Sequence, residues 1–128
     1  MNYGYKKQLA HSFAEAIIKT KEELQKEGFG VLTEIDVRAT MKKKLDLDYD
    51  NYMILGACNP QFAHQALEAE KEIGLFLPCN VIVYEEAGQV FVSAILPAIM
   101  MGIIGNPNID SVALEVETKL KKVIDEIK

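Results

Sequence analysis

The sequence predicts a single α+β domain, residues 1–128, with an antiparallel-containing sheet and bounding helices. Three observations carry this. Two apolar, β-branched runs, residues 79–85 and 89–96, flank the turn segment Glu85-Glu86-Ala87-Gly88, which makes a hairpin and forces antiparallel pairing. Helical periodicity marks a segment near each end of the chain, so helices must cover one sheet face. Strand and helix do not alternate as they would in a doubly wound parallel sheet.

The elements follow in order. Residues 2–9 alternate loosely, with Tyr3 and Tyr5 on one side, which suits a first strand. Ser12 and Glu15 then form a capping box, the serine at the N-cap and the glutamate at the third helical position. Phe13, Ile17, Thr20 and Leu24 share one helix face, and Gly28 can take the left-handed conformation that ends it. Phe29, Val31, Thr33, Ile35 and Val37 alternate with Gly30, Leu32, Glu34, Asp36 and Arg38, a strand with one buried face. Met41 and Leu45 stand one turn apart in a short helix, and residues 46–51 form a loop. Residues 52–58 are apolar on both faces, as a central strand would be.

Asn59-Pro60 starts the next helix, because asparagine caps well and proline suits the first helical position. Ala63, Ala66, Leu67 and Ala69 give that helix a small-residue face that can lie close to a neighbour, and Gly74 closes it. The hairpin follows and Pro97 ends it. Residues 98–105 are apolar on every side but too short to span a bilayer, and read as a buried helical turn or a sticky surface. Asn106-Pro107 breaks that run. From Asp110 to the end, Ala113, Val116, Leu120, Val123 and Ile127 continue a stripe begun by Ile109. Lys119, Lys121 and Lys122 suit the C-terminal end of that helix's dipole.

Composition bounds the function. The chain has 49% hydrophobic and 26% charged residues, ordinary for a globular fold, and no repeat or low-complexity tract. A net charge of −5 argues against nucleic acid, whose phosphates need a clustered positive surface. The one basic run, Arg38 and Lys42 to Lys44, is followed by Asp46, Asp48 and Asp50, which cancel most of its field. No stretch is apolar enough to span a membrane, and residues 1–8 lack a signal-peptide core, so a cytoplasmic protein without a membrane partner is expected. The two cysteines are then expected as thiols.

Three pieces of sequence carry a resemblance. They are Phe29-Gly30-Val31-Leu32-Thr33-Glu34-Ile35-Asp36-Val37, then Ile54-Leu55-Gly56-Ala57-Cys58-Asn59-Pro60 with Ala63-His64 and Ala66-Leu67, then Gly74-Leu75-Phe76-Leu77-Pro78-Cys79-Asn80-Val81. In this order they resemble the bacterial and archaeal domain of unknown function 302 family, over nearly the whole chain. The resemblance implies a β-α-β-β-β-β-α fold of the broad TATA-binding-protein-like class. It implies no agreed activity, and a likeness of fold is no argument for DNA. It also implies a polar residue, often aspartate, before Pro97; this chain has Leu96 there.

The unusual chemistry lies between residues 55 and 85. Cys58-Asn59-Pro60 and Pro78-Cys79-Asn80 each place a Cys-Asn pair beside a proline at an element boundary. Cys58 precedes a helix N-terminus, which lowers a thiol pKa and suits a reactive thiol; otherwise it is a small buried hydrophobe. Cys79 shares a strand face with Val81 and Val83, and reads either as core or as a second thiol opening into the same cleft. His64 lies on the intervening helix with Glu68 one turn on. If a metal is bound, Cys58, His64 and Cys79 suit zinc, with Glu68 or water as a fourth ligand, although neither C-x-x-C nor H-x-x-x-H spacing occurs. No other cofactor is implied: there is no Gly-rich phosphate loop, dinucleotide fingerprint or nucleophile elbow. The leading expectation is a homodimeric small-ligand-binding domain with a pocket formed by Cys58, Asn59, His64, Cys79 and Asn80. The alternative is thiol-redox or zinc-dependent chemistry at Cys58, His64 and Cys79. Met100 and Met101 are further candidates for a pocket wall or subunit seam.

Overall fold

The structure, a computed structural model, describes residues 2–128; Met1, part of the polar N-terminal stretch, lies outside it. Strands β1 (Gly4–Leu9), β2 (Gly30–Asp36), β3 (Tyr52–Cys58), β4 (Cys79–Glu86) and β5 (Gln89–Ile95) form one sheet in the order β1-β5-β4-β3-β2. Every neighbouring pair is antiparallel. Helices α1 (Phe13–Lys26), α2 (Val37–Leu45), α3 (Pro60–Ala69), α4 (Met101–Ile104) and α5 (Pro107–Glu126) are joined by 3₁₀ turns at Lys71–Phe76 and Pro97–Met100. The expected α+β class therefore holds. The β-α-β-β-β-β-α order holds too, with α2, α3 and α4 inserted.

Helix α1 begins at the expected N-cap, with Ser12 Oγ accepting the Glu15 amide at 3.2 Å, while the Glu15 carboxylate stands 3.4 Å from His11 instead of completing the box. It must carry the chain from one sheet edge, β1, to the other, β2. Its 14 residues span about 21 Å, and four strand spacings need about 19 Å, so one straight helix can cross the sheet. It buries Ala16, Thr20 and Leu24. Gly28, at φ 85, then turns the chain into β2. Helix α5 buries its stripe of Ile109, Ala113, Val116, Leu120 and Val123, and Ile127 just beyond it is buried as well.

These two helices lie on one face of the sheet. Strand alternation sends Leu9, Leu55, Ala57, Val81, Val83, Val92 and Ala94 into that core, and all are buried. The alternate positions, including Ile54, Ile82, Tyr84, Phe91 and Ser93, face the other way, and none of these five is fully buried. Their face is the open face below.

Two expectations change. Strand β2 does not have one buried face. Leu32 is an extra residue in a bulge, so Val31 pairs with Ala57 but Thr33 pairs with Gly56. The bulge resets the alternation, and β2 becomes an edge strand with Leu32 67% and Ile35 47% exposed. Strand β3 is interior, as expected, although β4 is the middle strand. The hairpin loop is tighter than four residues, because Glu86 pairs with Gln89 across Ala87 and Gly88. Both loop residues have positive φ, 52 and 78, which gives a tight turn the twist that matches its strands.

Candidate functional site

Strands β3 and β4 lie side by side, with Leu55 opposite Val81 and Ala57 opposite Cys79. Close approach at this end depends on Gly56. A side chain there would run into Thr33 Oγ1 and come within 2.8 Å of Pro78 Cγ. Cys58 stands one residue past the Ala57–Cys79 pair, at the end of β3, where Asn59 and Pro60 lead into α3. Helical spacing turns Phe62, Ala63 and Ala66 of α3 inward.

These elements line a partly open apolar cavity of about 40 Å³. The short side chains of Ala57, Ala63, Ala66 and Ala113 leave the space, and Phe29, Phe62 and Met100 wall it. Cys58 and Cys79 both contribute to the lining, and Asn59 is its one amide side chain. So apolar a lining favours apolar groups over ordered water. Beside it runs a larger groove of about 330 Å³, which includes Leu75, Phe76, Asn80 and Ile99. Leu77, Cys79 and Met100 line both spaces. The groove is within the size range of small-molecule sites, and the cavity alone is below it.

The five residues expected to form one pocket are only partly gathered. Cys58, Asn59 and Cys79 line the cavity, and Asn80 lines the groove next to it. His64 is not with them. Its side chain is 76% exposed and stands 3.5 Å from Glu68 Oε1 on the outer face of α3. The cause is helical: an inward face at positions 62, 63 and 66 leaves 64 and 68 outward. The proposed zinc set of Cys58, His64 and Cys79 is therefore not assembled. Among the described residues no three His, Cys, Asp or Glu side chains are grouped to hold a metal ion.

The thiols also differ from expectation. Burial pushes the Cys58 thiol up, where helix proximity was expected to lower it. Burial, with a smaller contribution from the charge of Cys58, pushes Cys79 up to about 11. Asn59 holds the N-cap position of α3, as expected, but its side chain makes no cap bond; its Nδ2 donates to the Glu27 carbonyl at 3.3 Å and ties the start of α3 to the end of α1. At the Leu96 departure, residue 96 precedes the 3₁₀ turn and supplies no side-chain cap. Glu117 of α5 accepts the Ala98 amide at 3.0 Å instead.

Phe29, Phe62 and the groove residues Leu75 and Phe76 were missed as site residues, because apolar side chains reveal a cavity only once packed. The small-residue face of α3 was the available signal. Met100 lines both spaces, as one reading of the methionine pair expected; Met101 lines neither. No helix among the described residues is long and apolar enough to cross a membrane.

Residues 5–127 match the family model described as domain of unknown function DUF302. The fold is similar to that of a solved structure, an uncharacterized conserved DUF302 protein from Bacillus stearothermophilus. The two share 30% identity over 100% of each chain, with a TM-score of 0.93. No curated protein matches.

Proposed function

The chain belongs to the DUF302 family, and from that premise we propose that it is a homodimeric binding domain for a small ligand with an apolar portion. The ligand site is the cavity and groove beside Cys58-Asn59 and Cys79-Asn80. One observation carries this reading: a small, nearly all-apolar cavity adjoins a groove of ligand size, and the two share Leu77, Cys79 and Met100. Asn59 at the cavity and Asn80 at the groove are the polar groups available to orient what binds.

The reading is tested with an environment-sensitive apolar fluorophore. The wild-type chain should bind it saturably, and Ala66→Val, which adds bulk to the cavity wall, should weaken binding at least tenfold. Overpacking of that size costs about 1–3 kcal/mol of stability, so urea unfolding is run beside it to show the variant folded. Equal binding by both proteins, or none by either, would reject the cavity as the site.

The thiol-redox or zinc alternative has weaker support. Zinc chemistry needs Cys58, His64 and Cys79 together, and His64 projects outward; a Cys58–Cys79 redox pair needs a thiolate, and both thiols are pushed up.

A further inference from the structure

The open face carries a concentration of apolar and aromatic side chains that the ligand site leaves unused. Register places Ile35, Ile54 and Ile82 in one row across β2, β3 and β4. Beside them Tyr52, Tyr84 and Phe91 make a ladder across β3, β4 and β5, with successive ring centroids 5.4 Å apart. Lys6 of β1 lies with its Nζ 4.3 Å from the Phe91 ring centroid. Burial first, then the nearby hydroxyls of Tyr84, Tyr49 and Tyr3, pushes Tyr52 up. Four of the five tyrosines are thus gathered on or around this face. The fifth, Tyr5, points to the helices and donates to Asp125.

We infer that this face is where a second copy of the chain docks, sheet against sheet. The inference rests on the homodimer in the proposed function and names its surface.

Area is the first support. Five strands about 4.8 Å apart, each about six residues long at roughly 3.3 Å per residue, give a face on the order of 500 Å² in plan. A standard dimer buries about 800 Å² per partner. The plan area alone supplies more than half, and side-chain relief adds to it. Tyr49, in the loop before β3, stands near Tyr52, is exposed, and supplies more.

Charge is the second support. The chain carries a net charge of −5, so most surfaces of two copies repel. On the strand positions of the open face the charged groups are Lys6 and Glu86, one of each sign. Two like-charged copies can meet here without stacking charge of one sign. Tyrosine-rich composition fits the third requirement, since large rings with few rotatable bonds bury area at low entropic cost.

The test is light scattering with size separation on the full chain, with Ile82→Glu at the centre of the face and Ile18→Glu on the exposed side of α1 as control. Wild type and Ile18→Glu should run at twice the 14.3 kDa chain mass at micromolar concentration. Ile82→Glu should weaken the dimer at least a hundredfold while keeping its far-ultraviolet circular dichroism. Radical footprinting of the wild type, which needs no variant, should show Tyr84 and Phe91 protected when concentrated and exposed on dilution. If Ile82→Glu dimerises as tightly as wild type, or those rings stay equally reactive in a dimer, the interface lies elsewhere and this inference falls while the dimer stands. A wild type that is monomeric up to millimolar concentration overturns both.

Discussion

Cys79 shows how a side chain's surroundings decide its chemistry. It sits at the start of β4 opposite Ala57, on the core face, and its thiol is held as the neutral form up to about 11. In the unfolded chain it ionises near the usual value of about 8.5. Between those values the folded state binds the proton that the unfolded state has lost. Its contribution to stability is therefore complete below about 8.5 and falls as pH rises toward about 11. Urea midpoints measured from pH 7 to pH 10.5 should decline more steeply for wild type than for Cys79→Val; parallel declines would show that Cys79 is not the group responsible. His64 illustrates the opposite case. Its identity and its distance from Cys58 in sequence suggested a ligand, but a rotation of one residue on the helix decides whether it reaches the cavity.

Among the elements, those with local causes formed where their residues indicated. The Ser12 cap, the α5 stripe and the strand alternation of β4 and β5 need only a residue and its near neighbours. The β2 bulge and the middle place of β4 depend on partner strands, so they were not legible. The hairpin turn falls between. Its site was evident from Gly88, but its length depends on Ala87 accepting φ 52, which an alanine rarely does. A left-handed residue costs an L-amino acid roughly 1–2 kcal/mol, and asparagine pays less of it. Ala87→Asn should thus stabilise the chain by about 0.5 kcal/mol in chemical denaturation. A loss of stability would mean that the turn is not of this type.

For the molecule as a whole, a helix-covered face and an open face divide the chemistry into a cavity on one side and a tyrosine-rich surface on the other. If two copies associate before they unfold, stability depends on protein concentration. For two chains of this length, unfolding entropy scales to a rise in Tm of about 3 °C per tenfold concentration. Calorimetry over a hundredfold range checks this, and a constant Tm would count against the dimer. The sequence by itself determined the α+β class, the family, the core stripes and the two Cys-Asn boundary motifs. Periodicity, capping and motif order are properties of neighbouring residues, so they can be read along the chain. Tertiary structure alone decided that His64 turns away, that both thiols are pushed up, and that Ala57, Ala63, Ala66 and Ala113 leave a cavity between α3, α5 and the sheet. Each depends on what the rest of the chain places around a residue: burial sets a thiol's pKa, and a void exists only between surfaces brought together from distant parts of the sequence.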